Sequence, residues 1–151
     1  MNVDYKYFST VTTDFENLSN EFNREFKKKF GKAQDKYQKY NLLNNIKDVI
    51  ISYIDEKPIG CVSVRFYDED IYELKRMFIK AEYRGLGISK IMLAMIENKA
   101  KEKGVNKIIL ETGAHLEQAV QLYKKSGYQK IVNYGDYANI PESICMEKIL
   151  T

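Results

Sequence analysis

Histidine is almost missing from this chain: among 151 residues His115 is the only one. That argues against a Ser-His-Asp triad and against a histidine-bearing zinc cluster. Cysteine is scarce too, with Cys61 and Cys145 far apart and outside any Cys-x-x-Cys spacing. Both fall in segments that read as strands, which predicts two buried thiols, not a disulfide or a metal site. No apolar run approaches the ~18 residues of a membrane span, and the first residues lack the apolar core of a secretory signal. A cytoplasmic protein with no membrane partner is therefore expected. Charge of one sign is also in short supply, since the formal net charge is +3 and the isoelectric point about 8.7. No block of like charges exceeds Lys27-Lys28-Lys29. This balance is too mild to argue for a nucleic-acid partner and is compatible with an anionic ligand. Linkers, internal repeats and low-complexity stretches are missing as well, which predicts one domain over 1–151 with roughly two-thirds of the unfolded chain's surface buried.

What the chain does have is a glycine turn between a strand and a helix. Met77-Phe78-Ile79-Lys80-Ala81-Glu82-Tyr83-Arg84-Gly85-Leu86-Gly87-Ile88-Ser89-Lys90 runs from an alternating strand through two glycines into an amphipathic helix. Glycines allow a tight turn and close approach of a ligand, and the first amides of a helix are unpaired donors at the positive end of its dipole. The segment reads as a phosphate cradle. A nucleoside-triphosphate loop would close with Gly-Lys-Ser/Thr, but Gly87 is followed by Ile88-Ser89-Lys90. A dinucleotide fingerprint would place a third glycine at position 90, which is lysine.

Periodicity supplies the frame. Phe15, Leu18, Phe22, Phe26 and Phe30 form one helical stripe stopped by Gly31, with Arg24, Lys27, Lys28 and Lys29 as its solvated face. Asp48 to Asp55 and Pro58 to Tyr67 read as a hairpin around Glu56-Lys57. Ile71 to Ile79 reads as a third strand, with Glu73, Lys75 and Met77 on one face and Leu74, Arg76 and Phe78 on the other. Ile88, Ile91, Met92, Met95 and Ile96 predict a helix that ends near Lys103-Gly104. A short buried strand follows at Lys107 to Glu111, then a helix carrying Leu116, Ala119, Val120 and Tyr123 and stopped by Gly127, and a last strand at Ser143 to Ile149. A strand, a crossover helix and a parallel strand make one right-handed unit.

Arg84 to Ser89 resembles the pyrophosphate-binding motif of the GNAT family of N-acetyltransferases, Arg/Gln-x-x-Gly-x-Gly/Ala, with Ser89 where the family usually has Gly or Ala. Ala119-Val120-Gln121-Leu122-Tyr123-Lys124-Lys125-Ser126-Gly127-Tyr128 looks like the family's closing motif, Ala-x-x-Leu-Tyr-x-x-x-Gly-Phe/Tyr. Leu116 departs from it, at a position where relatives often carry an Asn that contacts the cofactor. Glu73 to Ile79, Leu110 to Gly113 and Asn133 to Tyr137 look like a bacterial subgroup of mostly uncharacterised members. The resemblance spans roughly Asp48 to Ile149. It implies an α/β fold with a mixed central sheet of six to seven strands, about four flanking helices, and splayed parallel strands at an acetyl-CoA site.

By the same resemblance, acetyl-CoA is the co-substrate and no metal is used. Backbone amides of Arg84, Gly85, Leu86, Gly87, Ile88 and Ser89 would hold its pyrophosphate, and Met77, Phe78 and Ile79 its pantetheine arm. Tyr123 would protonate the departing thiolate, as a phenol of reference pKa near ~10 can do for a thiolate near ~8.5 in a dry pocket. Acetyl transfer needs a neutral amine, so Glu73 is the candidate general base, directly or through water; its simpler reading is a strand-surface ion pair with Lys75 or Arg65. Glu111, Tyr134 and Tyr137 are further candidates for the acceptor site. The expected reaction is acetyl transfer to a primary amine of a small molecule, an amino acid or polyamine-like compound, in a chain that could form a homodimer. Two alternatives stand beside it: an acetyltransferase acting on a protein or aminoacyl-tRNA amine, and a non-catalytic acyl-CoA-binding module.

Overall fold

The structure is a computed structural model, and it describes residues 2–31, 43 and 45–151. In chain order the elements are β1 (Asp4–Phe8), α1 (Thr13–Phe30), β2 (Ile46–Ile54), β3 (Lys57–Asp68), β4 (Ile71–Ile79), α2 (Ile88–Glu102), β5 (Lys107–Gly113), α3 (Glu117–Lys125), β6 (Gln129–Ile131) and β7 (Ser143–Ile149). Two 3-10 turns, Ala81–Tyr83 and Gly135–Asn139, complete the described secondary structure. The strands form a seven-stranded mixed sheet in the order β1-β2-β3-β4-β5-β7-β6. Three α-helices lie among the described residues. The chain divides into two compact units, the first Met1–Arg65 with Lys75–Ile96 and the second Phe66–Leu74 with Glu97–Thr151.

In the first unit, α1 forms for reasons written in its ends. The Thr12 hydroxyl accepts from the Phe15 amide at 3.2 Å, Asp14 and Glu16 occupy the positive end, and Lys27, Lys28 and Lys29 the negative end. Gly31 closes it at φ +61°. The inward stripe places Phe15 and Leu18 against Val49, Ile51, Tyr53, Cys61 and Phe78, and Phe22 stacks on Phe78 with ring centroids 5.1 Å apart. Arg24 and the three lysines are exposed, as the stripe predicts. β1 pairs antiparallel with β2 from Asp4↔Tyr53 to Phe8↔Val49, and β2 pairs antiparallel with β3. The turn of that second pair is Asp55–Glu56, both at positive φ, in place of the expected Glu56-Lys57; Lys57 already belongs to β3. Gly60 is required by close approach, since a Cβ there would lie 2.5 Å from Ile79 Cδ1 and 3.0 Å from the Phe78 carbonyl oxygen.

In the second unit, β4 pairs in parallel with β5 through Ile71↔Lys107, Tyr72↔Ile108 and Glu73↔Ile109. β7 runs antiparallel to the whole of β5, from Lys107↔Ile149 to Gly113↔Ser143, and β6 adds to its other side. Val120 and Tyr123 are the buried face of α3. Tyr128, just after that helix, donates its hydroxyl to Glu97 at 2.9 Å, and Lys148 pairs with the other Glu97 oxygen at 2.8 Å. Cys61 in the first unit and Cys145 in the second are both free and buried, as expected from their strand positions.

One expectation needs correction. Ile91 is expected on the buried stripe of α2, yet it is 47 % exposed; Ile88, Met92, Leu93, Ile96 and Ala100 are the buried set. Along β4, Arg76 takes φ +59° and Glu73, Leu74, Lys75 and Arg76 are all buried, while Arg76 and Phe78 both meet Phe22, the shared face that a period of two expects. Among the described residues, no helix is long and apolar enough to cross a membrane.

Candidate active site

The cradle lies wholly in the first unit. After β4 the chain makes the 3-10 turn Ala81–Tyr83, held by the Tyr83 amide on the Lys80 carbonyl at 2.9 Å and the Arg84 amide on the Ala81 carbonyl at 3.3 Å. Gly85 and Gly87 then adopt φ +81° and +80°, which L side chains rarely tolerate, and nothing lies within 4 Å of where a Cβ would be. α2 starts at Ile88 with no acid in its first turn. The amides from Gly85 to Ser89 meet no backbone acceptor among the described residues. Arg84 to Gly87 are exposed, Ser89 is half-buried, and Ile88 anchors the helix in the core. The result is a shallow, exposed arc of donors at the positive end of a fifteen-residue helix.

The Arg84 side chain points to a different task. Its Nε donates to the Ile79 carbonyl at 2.8 Å and an Nη to Glu25 at 2.7 Å, while the guanidinium lies 5.6 Å from the Phe78 ring centroid. It ties the cradle to the end of β4 and to α1, so the motif's arginine secures the geometry whose backbone presents the donors. Met77 is half-buried, whereas Phe78 and Ile79 are packed into the core.

Tyr123, Glu73, Glu111, Tyr134 and Tyr137 all belong to the second unit. Tyr123 is 7 % exposed; burial pushes its phenol well above the ordinary range, and the Glu111 carboxylate pushes it further. It is therefore protonated at neutral pH. Glu111 accepts from the Ser143 hydroxyl at 2.6 Å. Glu73 is 1 % exposed, a buried carboxylate in place of the strand-surface group that was one of its readings. It accepts from the Tyr134 hydroxyl at 2.5 Å. Tyr134 in turn meets Tyr137 edge to face, with centroids 5.6 Å apart. Burial raises the Cys145 thiol, and the charges of both Glu111 and Glu73 reach it, so the two carboxylates share one neighbourhood. Within this unit the sequence candidates converge.

Three residues that sequence reasoning did not single out matter here. Tyr67 packs edge to face on Tyr134 at 5.3 Å, and the Asn133 amide donates to the carbonyls of Tyr137, Ile140 and Ser143 at 3.4, 3.2 and 3.1 Å. Arg76 is 6 % exposed and donates to the Ser19 carbonyl and to Asn23 at 2.6 and 2.7 Å. The Tyr67 contact joins distant parts of the chain, whereas Asn133 reaches only to the segment that follows it, through an irregular connection with no periodic signal.

A mixed sheet with a glycine-bounded anion cradle opening the helix after β4 is the frame of a coenzyme A-dependent acyltransferase fold. Residues 15–128 match the model of the acetyltransferase (GNAT) family, and the chain belongs to that family. It is similar to IAA acetyltransferase of Azospirillum brasilense, with 36 % identity over 93 residues that make up 61 % of each protein. Its fold matches the crystal structure of PaiA N-acetyltransferase from Thermoplasma acidophilum in complex with coenzyme A, at a TM-score of 0.74, 21 % identity and 99 % coverage of both chains. A GNAT family acetyltransferase from Elizabethkingia anophelis with acetyl-CoA bound matches at 0.73, with 19 % identity and 99 % coverage of both. At such identities the likeness is one of fold. The chain spans 61 %, 32 % and 62 % of the lengths of the first curated relatives it matches.

Proposed function

We propose that this chain is an acetyl-CoA-dependent N-acetyltransferase, acting as one domain over 1–151 in the cytoplasm, with a small primary amine, an amino acid or polyamine-like compound, as acceptor. The observation that carries the reading is the cradle. Gly85 and Gly87 spend conformational freedom on a turn with nothing packed against it, and the turn opens onto the acid-free N-terminus of α2. Gly31 and Gly104 are equally open, but each follows a helix, whereas Gly85 and Gly87 precede one and so stand beside its unpaired amides. The backbone from Arg84 to Ser89 would bind the pyrophosphate, and amides along Met77 to Ile79 would bind the pantetheine arm and stabilise charge developing on the thioester oxygen.

The remaining roles follow from proton accounting. The acceptor is cationic at neutral pH, so Glu73 takes a proton from it, directly or through one water, before its nitrogen attacks the thioester carbon. As the carbon–sulfur bond breaks, Tyr123 donates its hydroxyl proton to the sulfur, and the second proton of the attacking nitrogen, released as the amide forms, restores the phenol through solvent. The burial that raises the Tyr123 phenol keeps that proton in place until then. Glu111, Tyr134 and Tyr137 lie in the same unit as Glu73 and are candidates to line the acceptor's approach.

The test is thiol release from acetyl-CoA with the twenty amino acids, putrescine and spermidine, with mass spectrometry of the products. Tyr123→Phe is expected to lower kcat by about a hundredfold while leaving acetyl-CoA affinity unchanged. Equal kcat in the variant would remove Tyr123 from the reaction. Binding of acetyl-CoA without any acetylated amine would favour the acyl-CoA-binding module, and label entering only protein or RNA would favour a macromolecular acceptor.

A further inference from the structure

Tyr134 is held from several sides for a residue in a connecting segment. It precedes the 3-10 turn Gly135–Asn139 with an extended backbone at φ −112° and ψ 162°. Its ring sits between Tyr67 and Tyr137, edge to face with each, at centroid distances of 5.3 and 5.6 Å and interplanar angles of 81° and 85°. The segment on either side is laced by the Asn133 amide, which reaches three carbonyls as far along as Ser143. Gly135 takes φ +54°, a turn that lets the chain double back directly after Tyr134. All these contacts fix one atom, the Tyr134 hydroxyl, on Glu73 Oε2 at 2.5 Å.

We infer that Tyr134 is a positioning residue for Glu73: its hydroxyl, held by the Tyr67–Tyr137 ring contacts and the Asn133 clamp, sets the rotation of the Glu73 carboxylate for proton transfer. This rests on the reading of Glu73 as the base and replaces the view of Tyr134 as a group that touches the acceptor. The chemistry favours a dedicated donor. A buried carboxylate needs its acceptor sites satisfied, and a donated hydroxyl fixes the carboxyl plane as a mobile water would not. Burial, together with the neighbouring Glu73 charge and hydrogen bond, pushes the Tyr134 phenol far above its ordinary range, so it serves as a permanent donor. Misdirecting a base by a small angle costs rate and leaves binding intact, because proton transfer depends on alignment more steeply than ground-state association does.

A double-mutant cycle decides the matter, using the amine from the panel above that gives the fastest thiol release. Tyr134→Phe keeps both ring contacts and loses only the hydroxyl. It is expected to lower kcat about tenfold to a hundredfold with the amine KM within about twofold. Glu73→Gln is expected to lower kcat/KM about a hundredfold, and adding Tyr134→Phe to it should cost less than about twofold more, since a residue that acts through Glu73 has nothing left to act on. Equal losses from Tyr134→Phe in both backgrounds, or a loss confined to the amine KM, would overturn the inference and return Tyr134 to the acceptor site. Full activity in Glu73→Gln would instead overturn the reading of Glu73, and the inference with it. A readout independent of turnover is the proton spectrum. The unmodified chain should show a hydroxyl proton protected from exchange that survives Tyr67→Phe and vanishes in Tyr134→Phe, and its absence from the unmodified chain would also overturn the inference.

Discussion

Substituting Gly87 by alanine separates a ligand cradle from an ordinary turn, because the fold supplies a matched control. Gly87 at φ +80° and Gly104 at φ +81° have nearly the same backbone, and at neither does an added Cβ meet any atom within 4 Å. Alanine at either position pays the left-handed strain of about 1–2 kcal/mol and no packing penalty. For a domain of this size that lowers Tm by roughly 2–8 °C, alike in the two variants. Their affinities for acetyl-CoA should differ. Gly104 follows α2, away from the proposed cradle before it, so Kd should be unchanged. At Gly87 the methyl group stands where the backbone must approach the pyrophosphate, and losing one hydrogen bond to a charged oxygen costs about 1.5–3 kcal/mol, or roughly ten- to a hundredfold in Kd. Calorimetric titration of acetyl-CoA and thermal unfolding of both variants give all four quantities. Gly87→Ala with the Kd of the unmodified chain, or Gly104→Ala with an equal loss of affinity, would refute the cradle.

Two further outcomes concern stability. Tyr128→Phe removes the hydroxyl donated to the buried Glu97 while leaving the Lys148 pair, and should cost about 1–3 kcal/mol in urea unfolding; a loss under about 0.5 kcal/mol would mean that water replaces the donor. Burial pushes the Cys61 thiol from 9.0 up to about 12, so on raising the pH the unfolded chain releases this proton first. The folded state keeps this contribution in full below pH 9 and loses it towards pH 12, at about 1.4 kcal/mol per pH unit once past pH 9. Tyr123, Tyr128 and Tyr134 add the same sign above pH 10, their phenols being raised by burial first. Between pH 9 and 10 the Cys145 thiol, also raised by burial, contributes with the same sign, so Cys61→Ala should flatten the decline in part and Cys61→Ala with Cys145→Ala should flatten it further; a double variant whose curve runs parallel to that of the unmodified chain would contradict the argument.

Sequence patterns carried the parts of this fold whose signals are local. The phenylalanine stripe of α1, its Gly31 stop, the glycine turn before α2 and the limits of β7 can all be read from residues within a few positions of one another. β1 was not anticipated, because Asp4–Phe8 is half-exposed and mixes tyrosine with charge, leaving no clean apolar face. On α2 several i, i+3, i+4 stripes overlap, and apolar periodicity alone cannot choose between one through Ile91 and one through Leu93 and Ala100. The site divides along the same line. Tyr123 and the cradle sit in contiguous motifs, whereas the Tyr134–Glu73 bond joins residues 61 positions apart through a segment laced by a side-chain amide.

Arg76 is the one strained residue of β4. A non-glycine residue at φ +59° costs about 1–2 kcal/mol, and burying a guanidinium, whose pKa falls to about 10 through desolvation, adds to that cost. The offsets are specific and come from elsewhere in the first unit. Two hydrogen bonds run from one Nη to the Ser19 carbonyl and the Asn23 amide oxygen, the charge lies 4.4 Å from the Phe22 ring centroid, and the Cys61 thiol donates to the Arg76 carbonyl at 3.3 Å. Charge-assisted bonds of about 1.5–3 kcal/mol each and a cation–π contact of about 0.5–2 kcal/mol are of the size needed to hold the strained conformer. The Nε atom stays buried with no hydrogen-bond partner, so the compensation is incomplete. A strained residue maintained with unpaired polarity and buried charge is costly as mere scaffolding. Arg76 stands immediately before Met77, Phe78 and Ile79, the residues that lead into the cradle and whose amides the proposed reaction requires.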